Sequence, residues 1–107
     1  MWFFKKKRTT DLVKEDRELV NYNRDTVNIL LELAKDDEDL KKELKQLQNE
    51  LQYLIPSKLE TVLNADKKIK SALNEVKTYL AGKEKSKISA SLTDVRVLIA
   101  ERNRNLK

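Results

Sequence analysis

Apolar residues recur at helical spacing through most of this chain. Leu12/Val13, Leu19/Val20, Thr26/Val27, Leu30/Leu31 and Leu33/Ala34 form one stripe, with Lys14, Glu15, Arg17, Glu18, Arg24, Asp25 and Glu32 largely off it. A period near 3.6 with charge on the opposite side predicts an amphipathic helix from about Asp11 to Lys35. Thr10 is placed to cap it, and Asp11 and Glu15 suit the positive end of its dipole. Asp16 and Asn23 fall on the apolar side, where a polar group has to find hydrogen bonds inside the fold or at its boundary.

The acidic run Asp36-Asp37-Glu38-Asp39 opens a second pattern, in which Leu40, Leu44, Leu47, Leu51 and Leu54 alternate 4 and 3 residues apart. This is a coiled-coil-like leucine seam, but it lasts only about two heptads, which favours packing within a domain over a free-standing coiled coil. Ile55-Pro56 then interrupts it. Proline lacks the N–H that an interior helix turn needs, and the next stripe (Leu59, Val62/Leu63, Ile69, Leu73, Val76, Leu80) is one residue out of register with the leucines before it. The chain is expected to reverse here, with Ser57-Lys58-Leu59-Glu60 as a capping box whose serine and glutamate satisfy each other's backbone N–H groups.

The only glycine, Gly82, stands where a left-handed helix stop is expected. A polar connector from Lys83 to Lys87 leads to Ile88, Leu92, Val95, Leu98/Ile99 and Leu106, with Arg96, Glu101, Arg102 and Arg104 mostly outside the stripe and Ser86 or Ser89 as caps. The fold class that follows is all-α: an antiparallel up-down-up-down four-helix bundle over residues 11 to 107, preceded by a separate segment at 1 to 10. The alternative is a three-helix bundle with one long helix kinked at Pro56. Leu44, Leu47, Leu51, Leu63, Ile69, Leu73, Val95 and Leu98 hold the stripe centres and are the expected core.

Composition supports helices and removes much chemistry. Of the 107 residues 39% are apolar and 38% charged, with one Gly and one Pro, a balance dominated by helix formers. His and Cys are both absent, so the commonest general base, the commonest thiol nucleophile and the usual zinc ligands are missing. The acidic run lacks the spaced oxygen ligands and turn glycine of a calcium loop. No cofactor or metal is expected, and the enzyme class is set aside.

Charge and aromatic placement then point to a surface. Trp2, Phe3 and Phe4 include the only tryptophan and both phenylalanines, and Lys5, Lys6, Lys7 and Arg8 follow at once. Aromatic rings favour the headgroup boundary, and adjacent cations are drawn to anionic lipid. Residues 1 to 10 carry four cations and no acid, residues 11 to 82 carry 12 bases and 15 acids, and residues 83 to 107 carry 7 bases and 3 acids, for a net charge of +5. An up-down-up-down bundle gathers both chain ends at one pole, so the expected membrane-binding set is Trp2, Phe3, Phe4, Lys5, Lys6, Lys7, Arg8, Arg102 and Arg104, with Asp36 to Asp39 at the opposite pole.

The expected function is that of a small non-catalytic helical interaction or adaptor protein. It is cytoplasmic, at the inner face of the membrane through its N-terminal segment, and meets protein partners or its own copies through exposed helix faces. Nonspecific nucleic-acid binding is the alternative. The basic pI of about 9.4 favours it, while the absence of a continuous Lys/Arg-lined helix face or a base-stacking aromatic platform counts against it.

Overall fold

The structure is a computed structural model that describes residues 9 to 106. It contains four helices: α1 (Thr9–Leu33), α2 (Glu38–Gln52), α3 (Glu60–Ala81) and α4 (Lys85–Asn105). The chain does reverse at Pro56, because residues 53 to 59 form an irregular connector and no helix runs through it. The Pro56-kinked three-helix alternative is thereby removed.

Burial follows a seam of 4 and 3 residue steps on every helix. On α1 the seam is Asp16, Val20, Asn23, Val27 and Leu30, continued by Ala34, with Thr26 buried beside it; on α2 the buried positions are Leu44, Leu47 and Leu51, continued by Leu54. On α3 the seam is Val62, Asp66, Ile69, Leu73 and Val76, and on α4 it is Ile88, Leu92, Val95, Ile99 and Arg102. Knobs at such steps stay on one side of a slightly supercoiled helix, so four seams converge on one core. Of the expected core residues all but Leu98 are buried. Leu98 is half-buried against the core because Ile99 holds the seam position.

Side-chain contacts fix the helix directions. Asp37 at the start of α2 meets Lys85 at the start of α4, and Gln46 accepts from Arg96 further along both, so these two helices run parallel. Tyr22 of α1 donates to Asn74 of α3, and Asp16 and Asp66 near their starts meet a common arginine, so α1 and α3 are parallel as well. Directions alternate up-down-up-down as the pattern predicts. The packing order is more specific: the main interfaces are α1 with α2, α1 with α3, and α3 with α4, so the second connector carries the chain across the pole to lay α3 beside α1.

The helix ends differ from expectation in four places. Thr10 lies inside α1 and does not cap it. The capping box does not form: the N-cap of α3 is Leu59, without a side-chain bond, because the Ser57 N–H is taken by Asp16 and the Ser57 hydroxyl instead accepts from Leu59 N–H at 3.1 Å. Neither Ser86 nor Ser89 caps α4, which starts at Lys85 after Glu84. Gly82 closes α3 with φ −85°, and the left-handed residue is Lys83 at φ 58°. The backbone bonds Glu84 N–H to Tyr79 oxygen (2.9 Å) and Lys83 N–H to Leu80 oxygen (3.2 Å) make this a Schellman stop with lysine in the position usually given to glycine.

Candidate functional site at the shared pole

The starts of α1 and α3, the end of α4 and the 53 to 59 connector meet at one pole, and a buried polar layer joins them. Asp16, Asp66 and Arg102 each occupy a seam position and each is 0% exposed. The Arg102 Nε donates to Asp66 Oδ1 at 2.8 Å and Oδ2 at 3.1 Å, and its Nη2 lies 3.4 Å from Asp16 Oδ2. The same Nη2 donates to the Ile55 carbonyl oxygen at 2.7 Å, while Asp16 Oδ2 accepts from the Ser57 backbone N–H at 2.8 Å. Asn23 adds a bond from its amide to the Asp66 carbonyl oxygen at 3.2 Å.

Two carboxyls around one guanidinium leave a surplus negative charge in a low-dielectric core, and a proton removes it. The Asp66 carboxyl is pushed up to about 8: burial disfavours its charge most, the hydrogen bond with Asp16 adds to this, and the Arg102 charge opposes it. With Asp66 protonated the layer is neutral. Polar satisfaction is incomplete, since Asp16 Oδ1, Asn23 Oδ1 and Arg102 Nη1 are buried without a hydrogen-bond partner. Buried ion pairs of this kind usually contribute less to stability than apolar packing of the same volume, so the layer is better understood as fixing geometry. Sealed from solvent, its atoms are closed to a diffusing substrate.

What it fixes is the connector. Arg102 holds the Ile55 carbonyl and Asp16 holds the Ser57 N–H, one on each side of Pro56. A second arginine, half-buried Arg24 on α1, reaches across to the end of α2: its Nε donates to Leu51 oxygen at 3.0 Å, and its Nη2 donates to Gln52 oxygen at 3.0 Å and Leu54 oxygen at 2.8 Å. A cation on the last carbonyls of a helix is favoured by its dipole as well as by the hydrogen bonds. Five backbone groups between residues 51 and 57 are thus tied to side chains of α1 and α4.

Of the expected surface residues, Arg104 is exposed at this pole. Arg102 is corrected: it lies in the core with its charge matched to Asp16 and Asp66, because its position three residues after Ile99 continues the α4 seam. Trp2, Phe3, Phe4, Lys5, Lys6, Lys7 and Arg8 lie outside the described residues. The residues that sequence reasoning missed are Asp66, Arg24 and the partnership of Asp16 with Arg102. Asp66 had a signal, since the α3 stripe skips from Val62 to Ile69 and position 66 is the step it omits; Arg24 had none.

The opposite pole also differs from a purely acidic end. The first and third connectors lie there, which brings Lys85 onto Asp37 and puts exposed Lys83 and Lys87 at the same pole as Asp36 to Asp39. Asp37 caps α2 by accepting from Leu40 N–H at 3.2 Å, which holds its carboxyl below the usual range, and Lys85 at 3.4 Å lowers it further. A shallow crevice of about 200 Å³ lies between the starts of α2 and α4, lined by Asp37, Asp39, Glu43, Lys85 and Ile88 among others, with its charges of both signs. Among the described residues no three acidic side chains are grouped to hold a metal ion, and no helix is long and apolar enough to cross a membrane. No protein-family model, curated protein or solved structure matches the chain.

Proposed function

We propose that the protein is a small non-catalytic helical adaptor that docks reversibly on an anionic membrane surface by the pole where its chain ends meet. The observation that carries the reading is convergence: α1 begins at the pole that also presents exposed Lys58, Arg104 and Leu106 beside exposed Asp11, Glu60 and Glu101, so the attraction to anionic lipid rests on the four cations of residues 5 to 8, which precede α1 directly. Each Lys or Arg near a charged leaflet is worth about 1 kcal/mol, so four adjacent cations and partly inserted rings give weak, reversible attachment. The rest of the molecule is left for a protein partner, and the exposed Ile29 and Leu33, one turn apart on α1, support a contact on that face.

Vesicle sedimentation tests the reading. Full-length protein should pellet with vesicles containing phosphatidylserine more than with phosphatidylcholine alone, and binding should weaken as salt screens the charges. Replacing Lys5, Lys6, Lys7 and Arg8 with Gln should remove the preference for anionic lipid, whereas replacing Trp2, Phe3 and Phe4 with Ser should reduce the binding that survives high salt. Equal and negligible pelleting with both vesicle types contradicts the reading, and salt-dependent binding to DNA in that case assigns the basic segment to nucleic acid.

A further inference from the structure

We propose that Asp16, Asp66 and Arg102 form a buried proton-binding site that latches residues 55 to 59: with the proton bound the connector stays closed on the layer, and its opening releases the proton. The inference goes beyond the membrane reading and stands independently of it.

Charge balance requires a proton in the closed layer. Two carboxyls meet one guanidinium where all three side chains are sealed from water, so with both acids ionised one negative charge is left in surroundings that solvate it poorly. The charged groups facing Asp66 are Arg102 of α4 and Asp16 of α1, and α1 adds the neutral Asn23 amide on the Asp66 carbonyl oxygen. The connector meets their partners through its main chain, the Ile55 carbonyl on Arg102 and the Ser57 N–H on Asp16, while its Lys58 and the following Glu60 are exposed. α2 ends at Gln52, before the chain reaches the layer, and Arg24 beside that end is occupied by the Leu51, Gln52 and Leu54 carbonyls.

The wall that can move is the connector. Asp16, Asn23, Asp66 and Arg102 all belong to helices, whereas Ile55 and Ser57 lie outside any helix and Pro56 and Ser57 are only half-buried. Two bonds hold this stretch down, from Arg102 Nη2 to the Ile55 carbonyl oxygen at 2.7 Å and from the Ser57 N–H to Asp16 Oδ2 at 2.8 Å. Both end on the charged groups, so the contacts that seal the layer are the ones that tie the connector. On one side Arg24 clamps the carbonyls up to Leu54 through bonds that do not involve the layer, and on the other α3 begins at Glu60, which confines the opening to residues 55 to 59. Entering water offsets part of its cost, because Asp16 Oδ1, Asn23 Oδ1 and Arg102 Nη1 are buried without a partner and each gains one.

The sign of the coupling follows. In the closed form burial pushes the Asp66 carboxyl up to about 8, with the Asp16 hydrogen bond adding to this and Arg102 opposing it. Once water reaches the carboxyl, it returns toward its ordinary range. The closed form therefore keeps the proton where the open form has lost it, and the preference for closure is full below about pH 4 and is lost as pH rises toward 8.

Residue-resolved amide exchange of the full-length protein by NMR, corrected for the intrinsic rate at each pH, reads the latch at Ser57, whose N–H lies on Asp16. Its opening constant should rise by up to about tenfold per pH unit between pH 5 and 8, and should exceed the global unfolding constant obtained in urea at the same pH. In Asp66→Asn, which has no proton to release in this range, the rise should be absent. In the wild type the carboxyl carbon shift of Asp66 should titrate near pH 8. A Ser57 opening constant that does not change with pH, one that equals the global constant, or one that rises equally in Asp66→Asn overturns the inference. An Asp66 carboxyl that is ionised throughout the range in the wild type overturns it as well, whether or not the variant folds.

Discussion

Arg102 shows how a charge can be misassigned when its neighbours in the fold are unseen. In sequence it sits in a basic C-terminal stretch with Arg96, Arg104 and Lys107, and it reads as surface. Yet Ile88, Leu92, Val95 and Ile99 step by 4, 3 and 4, and the next step of 3 lands on it; in the same way Val62 and Ile69 bracket Asp66. Two acids and one base at seam positions of three different helices were therefore legible as a buried set, whereas Arg24 was not, because its partners are carbonyls with no sequence signature. Arg102→Ala should cost about 3 to 5 kcal/mol in urea unfolding, since it leaves carboxylate in the core without its counter-charge. A loss under ~1 kcal/mol would mean that solvent reaches the layer. The Asp66 proton predicts a pH dependence. The folded chain holds it up to about 8 whereas the unfolded carboxyl loses it near the ordinary 3.8, so the stability it contributes is full below about pH 4 and is lost progressively as pH rises toward 8. The slope is up to about 1.4 kcal/mol per pH unit in that window. Asp66→Asn keeps an acceptor for Arg102 and has nothing to titrate, so its urea midpoint should fall less than that of the wild type between pH 5 and 8. Parallel curves would place no proton on Asp66.

At the scale of elements the pattern was most informative, because Pro56 and Gly82 act locally and a stripe of leucines needs no distant partner to be recognised. Helix ends were less legible, and the reason is physical. Ser57-Lys58-Leu59-Glu60 has the composition of a capping box, but the Ser57 N–H is taken by a carboxylate 41 residues away, which frees the hydroxyl for Leu59. At the end of α3 the glycine precedes the position that needs it. A non-glycine residue in the left-handed region is disfavoured by roughly 1 to 2 kcal/mol, so Lys83→Gly should stabilise the protein by about 1 kcal/mol. Gly82→Ala should also stabilise, by about 0.4 to 1 kcal/mol, since φ there is −85° and an added Cβ would meet its nearest atom at an ordinary 3.6 Å. Thermal unfolding of the two variants checks this, each rising by a few degrees; a fall for Lys83→Gly would show that the lysine side chain contributes more than its backbone strain costs.

The whole molecule holds information that no stretch of sequence carries. Alternating helix directions follow from short connectors, but the placing of α3 beside α1 is a property of the packed set, marked by Asp16 and Asp66 meeting one arginine. The same placement gathers the first and third connectors at one pole, where lysines offset the acidic run, and the chain ends and the second connector at the other. With helices of 15 to 25 residues, the poles stand tens of ångströms apart, several Debye lengths, so each meets its surroundings independently. The proposed function has the molecule meet an anionic bilayer by the pole of the chain ends. Hydrogen–deuterium exchange of the full-length protein, with and without phosphatidylserine-containing vesicles, tests it most directly. Exchange should slow on vesicle binding at the N-terminal segment and along residues 53 to 59, with the connectors at 34 to 37 and 82 to 84 unchanged. Protection at that opposite pole, or along the length of α1 with none at 53 to 59, would contradict it.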